Sequence, residues 1–183
     1  MVLFRVDSGW SVKFQVACKL ANVEHCPRMD RFTSMMISNN ARAFLDAAII
    51  VRSQKSEVSA ITFVPLYFLA CQAIELSLKA YLRGTGYGQK DLVRLGHNLS
   101  KCVEAARAAG VEQHISFAAE EAAIVAMINP YYQSKDLQYS ITGLKHRPQP
   151  DLLIALAERL WRALRSFCKQ RREYHFGKPT AIA

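Results

Sequence analysis

The residues from Thr62 to Leu82 leave little room for anything but a helix at the centre of a bundle. Leu66, Ala70, Ala73, Ile74, Ser77, Leu78 and Tyr81 recur at helical spacing along one face, and Leu69, Leu76 and Ala80 widen that face well past an ordinary amphipathic stripe. A helix apolar on nearly every side has to be covered on nearly every side. Its remaining polar character is one seam, Gln72, Glu75 and Lys79, in which the acid stands four residues before the base, the orientation that favours an ion pair. Pro65 and Gln72 interrupt the apolar run before it could span a bilayer, so no membrane segment is expected.

The flanking sequence supplies the cover. After Ser38, with Asn39 or Asn40 as N-cap, Phe44, Leu45, Ala48, Ile49 and Arg52 repeat at helical spacing as far as the polar run from Ser53. Three glycines in Gly84–Gly88 end the central helix in a loop. That loop lacks the following Gly-Lys-Ser/Thr, or the preceding strand with Gly-x-Gly-x-x-Gly, that a phosphate cradle requires. Asn98 is placed to cap a helix through Leu99, Cys102, Val103 and Ala106 that Gly110 closes, and a further helix from Ser116 to Ile128 is expected to stop at Asn129-Pro130. An irregular segment follows, with Tyr131, Tyr132, Lys135, Tyr139, Lys145, His146 and Arg147, before Asp151 caps the last helix. The fold expected is all-α, an antiparallel bundle of four to five helices over 38–172, with a tail at 173–183.

Residues 1–37 read as an extension. Val2–Val6 and Trp10–Val16 nearly alternate around Asp7-Ser8-Gly9, which suggests a hairpin; Met29, Met35 or Met36 are alternative starts. No leader pattern is seen there, and the five cysteines, Cys18, Cys26, Cys71, Cys102 and Cys168, are odd in number, scattered and without Cys-x-x-Cys. Reduced thiols in a cytoplasmic protein, with no disulfide framework, metal site or cofactor, are the expectation.

The formal charge is +9, and residues 159–183 hold seven basic residues against the single acid Glu173. In the last helix Leu153, Leu156, Ala157, Leu160, Leu164, Phe167 and Cys168 form one face, and Arg162, Arg165, Lys169 and Arg172 a narrow arc opposite. Such a ridge is either a solvated face or a contact for a polyanion such as RNA, with Lys145 and Arg147 and the neighbouring tyrosines adding phosphate and stacking contacts. The same tyrosines could instead pack in the core with their hydroxyls hydrogen-bonded.

The run Phe68–Leu82, its Gly-containing loop and Gly96-His97-Asn98-Leu99 resemble the HEPN domain, a helical-bundle family whose members show a Gln/His-Ala-x-Glu-x-x-x-Lys-Ala helix followed by a His-Asp/Asn-Leu turn. The likeness spans roughly Asn39 to Lys169 and leaves the possible hairpin outside. It implies a homodimer and one of three roles: a metal-independent ribonuclease with an Arg-x4–6-His motif, a toxin paired with a nucleotidyltransferase-like antitoxin, or a non-catalytic binding or scaffold module. Only Arg107 and His114 fit the catalytic spacing, across Gly110 and without the usual polar residue after the arginine; Arg94 to His97 and Arg171 to His175 are too short. Cutting RNA through its 2′-hydroxyl needs a proton-transferring group, commonly His, and a cation beside the developing phosphorane charge. With that motif degraded, a non-catalytic module binding RNA or a protein partner is the leading expectation. An endoribonuclease using Arg107 and His114, and a scaffold with no nucleic-acid role, are the alternatives. His97 could act as ligand or base, but is expected to tie its turn to Glu75 and Lys79, with Asn98 capping.

Overall fold

In a computed structural model, which describes residues 33–53, 59–137 and 146–175, with side chains from 64 onward in the second helix and up to 171 in the last, the chain is helical. Six α-helices are seen among these residues: α1 Ser34–Ser53, α2 Ser59–Gly84, α3 Gln89–Leu95, α4 Leu99–Ala108, α5 Ala119–Gln133 and α6 Pro150–His175, with a short 3₁₀ turn at Val111–Gln113. All of them lie in the unit Phe32–Ala183. The all-α bundle expected from the sequence is what the described residues form. The possible hairpin at the N-terminus lies outside the described residues.

The long helices α1, α2 and α6 make the body. Arg52 reaches Asp151 while Trp161 Nε1 donates to Ser38 O, so α1 runs antiparallel to α6. Ser34 Oγ donates to Ala80 O, which sets α1 antiparallel to α2 as well. Tyr67 donates to Pro148 O at one end and the Tyr81 ring meets Phe167 at the other, so α2 and α6 share a direction. The shorter α3 to α5 carry the chain back between them. Leu66, Ala70, Ile74, Leu78 and Leu82 of α2 are buried, as are Leu153, Leu156, Leu160 and Leu164 of α6, as the apolar spacing of both helices requires.

Several boundaries differ from the sequence reading, each for an identifiable reason. The first helix starts at Ser34 because Thr33 Oγ1 accepts from Met36 N (3.1 Å); Asn39 and Asn40 sit exposed inside it. Gly88 opens the short α3, where Asp91 Oδ2 accepts from the Gly88 N–H (3.0 Å), a helix too brief for its periodicity to register. The fifth helix continues past Pro130 to Gln133. A proline inside a helix removes one backbone bond, at roughly 3 kcal/mol, and here Asn129 and Tyr132, both buried and hydrogen-bonded, hold the next turn in place. Asp151 does not cap α6: Gln149 O accepts from Leu152 N (3.1 Å), Pro150 takes the first helical position, and Asp151 turns to Arg52.

Gly84 sits where α1, α2 and α6 converge. A Cβ there would lie 2.6 Å from Phe167 Cε1 and 3.2 Å from Ser34 Oγ. Gly84→Ala is therefore expected to destabilise the fold by about 1–3 kcal/mol through overpacking, with Phe167→Leu recovering much of the loss in the double variant. Urea unfolding of the four proteins of that cycle measures both effects.

Three thiols, Cys71, Cys102 and Cys168, are buried and unpaired. Burial raises all three pKa values, with the Glu75 charge adding to the effect at Cys71, and the Cys102 thiol is pushed up to about 12. A thiol that stays protonated in the folded state but ionises in the unfolded one contributes stability below its unfolded pKa and loses it as pH rises toward the folded value. Stability should therefore fall from about pH 9 upward, near the ordinary thiol pKa. These three cysteines should also resist a disulfide reagent at pH 8 until denaturant is added; rapid modification of the folded protein at any of them would contradict this.

Candidate functional site

The polar seam of α2 is enclosed by three neighbours. Lys79 Nζ donates to Glu75 Oε1 (2.6 Å) and to Gly96 O (2.7 Å). His97 Nδ1 lies 3.0 Å from Glu75 Oε2, and Tyr132 Oη, 2.6 Å from the same oxygen, is 2.5 Å from Gln72 Oε1. The Glu75 side chain is 3% exposed and that of Lys79 12%. Burial and the Glu75 charge push the Tyr132 phenol far above its ordinary range, so it is a fixed donor.

One turn further, Asn98 Oδ1 accepts from Lys101 N (2.9 Å) and caps α4, while Asn98 Nδ2 donates to Gln133 Oε1 (2.8 Å). Asn129 Oδ1 takes the Leu99 N–H (2.7 Å). Gln72, Glu75, Lys79 and His97 thus come together in one network with Tyr132, and Asn98 forms a second cluster beside it with Asn129 and Gln133. Core packing with a hydrogen-bonded hydroxyl is one of the two expectations for Tyr132; the roles of Asn129 and Gln133 are hidden in the sequence because Asn129-Pro130 reads as the end of the helix. Glu75 has its oxygens occupied by Lys79, His97 and Tyr132, so the network fastens the turn at Gly96 and the end of α5 to the central helix.

Arg107 and His114 have different partners. Arg107 Nε donates to Glu112 Oε1 (3.1 Å) and its guanidinium lies over the Phe117 ring, 5.3 Å from the centroid. His114, exposed beyond the left-handed Gly110 (φ 85°), sets its ring against Tyr81 (5.7 Å) and Phe167 (5.0 Å). Gly110 turns the chain between them, and none of these contacts is shared by the pair.

The basic candidates divide in the same way. Arg147 lies over the rings of Tyr67 and Tyr131, 5.5 and 5.8 Å from their centroids. Its Nε is buried and has no hydrogen-bond partner among the described residues. An occluded Nε is closed to phosphate, which leaves only the terminal nitrogens for an anion. Lys145 and Tyr139 lie outside the described residues, as does the side chain of Arg172. Tyr132, placed in the irregular segment by its sequence, is a core residue of the network.

On α6, Arg162, Arg165 and Lys169 are exposed along one side. Arg162 Nη2 pairs with Glu158 (2.6 Å). Arg165 lies over the indole of Trp161, 5.0 Å from the centroid, and Arg42 of α1 lies 4.8 Å from the same ring. Arg42 is itself gripped by Asp46 through Nε (3.0 Å) and Nη2 (2.6 Å). Arg42 and Trp161 are the residues that sequence reasoning missed. A Trp-x-x-x-Arg spacing on the last helix was the available signal for half of the arrangement; the part from α1 depends on tertiary packing.

Beyond this face, a groove of 320 Å³ lies between the end of α1 and the start of α6, lined by Ile49, Arg52, Ser53, Asp151, Ile154, Ala155 and Glu158. Arg52 grips Asp151 in two bonds (2.7 and 2.9 Å), and this hydrogen bonding holds the Asp151 carboxyl below its ordinary range. The two charges satisfy each other, Ser53 Oγ donates to Ile50 O (2.8 Å), and Glu158 is paired with Arg162.

No three His, Cys, Asp or Glu side chains gather as a metal site among the described residues, and no helix there is long and apolar enough to cross a membrane. Compared with known protein families, with curated proteins and with solved structures, the chain finds no match.

Proposed function

We propose that the protein is a non-catalytic RNA-binding module whose contact surface is the exposed side of α6. The observation that carries this reading is the row Arg162, Arg165 and Lys169, all exposed on a helix whose opposite side is buried in the core. Their spacing of three and four residues puts successive cations about 4.5–6 Å apart along the helix axis, a ladder suited to a polyanion. Arg42 adds a fourth cation beside Trp161.

The likeness of the Gln72–Ala80 helix and the His97–Leu99 turn to HEPN domains is the ground for choosing RNA among polyanions. A dimer and a nucleotidyltransferase-like partner rest on that likeness alone. The separate partners of Arg107 and His114 favour binding over cleavage.

Affinity for a labelled single-stranded RNA, measured by fluorescence anisotropy across a salt series, tests the reading. A linear fall of log K with log salt is the expected result, since counterions released from phosphates set the slope. Absence of binding at low salt would sink it. So would metal-independent cleavage of the RNA that disappears in His114→Ala, which would identify an endoribonuclease instead.

A further inference from the structure

Trp161 is an unusual residue to find at the edge of a cationic face. Its indole N–H donates to Ser38 O (3.0 Å), which fixes the plane of the ring against α1. Of the two guanidiniums over it, Arg42 is anchored by its double contact with Asp46. Arg165 is exposed and joins no ion pair among the described residues; its guanidinium lies over the indole. The ring is thus rigidly presented and half-buried, with one cover tied down and the other held by a single cation–π contact, which is weak at an exposed site.

We infer that this face takes single-stranded rather than duplex RNA, with one base stacking on Trp161 in the place of Arg165, whose guanidinium swings out to a phosphate. The inference rests on the RNA-binding reading and narrows its ligand. Every base has a π face, so a fixed aromatic ring beside a cationic groove binds strands with little sequence preference. Bases inside a duplex are already stacked on their neighbours and cannot reach an indole on a helix surface without being turned out, at a cost in unstacking and unpairing. Arg165 stands one helical turn beyond the ring and Lys169 about two turns beyond it, so a strand running from a base on Trp161 toward the C-terminal end of α6 would set successive phosphates against these cations.

The full chain would be titrated with three labelled ligands of equal phosphate number: a single-stranded RNA, an RNA hairpin duplex and an oligomer lacking bases. Trp161→Leu is expected to weaken the single strand about tenfold without changing its salt slope, and to leave the other two ligands unaffected. Trp161→Phe, which keeps an aromatic face, should restore most of the loss and guards against a merely misfolded leucine variant. Arg162→Ala should lower the salt slope for all three ligands by about 0.7–0.9. Equal affinity for single strand and duplex, or an equal loss for all three ligands in Trp161→Leu, would overturn the inference while leaving RNA binding intact. Failure of every ligand to bind would overturn the RNA-binding reading itself.

Discussion

Glu75→Leu is expected to be the most damaging single substitution in the protein, lowering stability by about 3–5 kcal/mol, because it strands the partly buried Lys79 ammonium and the buried Tyr132 hydroxyl and releases the exposed His97. For a chain of this size that is a fall in Tm of roughly 6–20 °C. Lys79 keeps Gly96 O, but Tyr132 is left with Gln72 alone and His97 loses its recorded partner on α2. The double variant Glu75→Leu/Lys79→Met should recover a substantial part of the loss, since a buried ion pair exchanged for apolar groups of similar volume is often neutral or better. Chemical denaturation of the wild type, both singles and the double separates the contribution of the pair from the penalty of stranding one member. A single Glu75→Leu change costing less than about 1 kcal/mol, the scale of an ordinary hydrogen bond, would show that the network does not hold the turn and α5 in place.

Removing the cationic row should have a comparably large effect on binding and little on folding. For Arg162→Ala/Arg165→Ala/Lys169→Ala, three lost phosphate contacts predict a salt slope shallower by about 2 and an affinity at 0.1 M salt lower on the order of 100-fold. All three residues are exposed, and the recorded ion pair among them, Arg162 with Glu158, is a surface pair of about 0–1 kcal/mol. The melting temperature should therefore hold while binding collapses. A triple variant with the wild-type slope would move the site elsewhere on the molecule, with the terminal nitrogens of Arg147 as the next surface to test.

What could be read from the residues alone follows from which interactions are local. The central helix, its Glu75–Lys79 pair and the capping role of Asn98 are contacts within a few residues, and spacing reveals them. The two faces of α6 are equally legible, because burial of Leu156, Leu160 and Leu164 repeats with the helical period. Misreadings arose where a distant residue overrides a local rule. Pro130 is a stop signal by itself, yet Asn129 and Tyr132 find buried partners on α4 and α2 that keep the helix going. Asp151 is a sound N-cap in isolation, but Arg52, which arrives from the far end of α1, takes its carboxylate. The candidate site is legible only in part for the same reason: Arg162, Arg165 and Lys169 share one helix, whereas Arg42 meets Trp161 only after α1 and α6 have packed.

That α2 and α6 run in the same direction, with α1 antiparallel to both, sets the order in which the protein can fold. Trp161 and Ser38 are 123 residues apart in sequence, and Arg52 and Asp151 are 99 apart. These are long separations for a helical protein, whose usual short-range contacts permit fast folding. On the ribosome, α1 and α2 emerge before α6 and can pair, but the surface they reserve for α6 stays open until α6 itself has been made. A nascent chain paused before Pro150 would present that apolar surface to chaperones or to other chains. Losing α6 to truncation would therefore remove more than the cationic face: it would leave a bundle that can begin to assemble but has nothing with which to close.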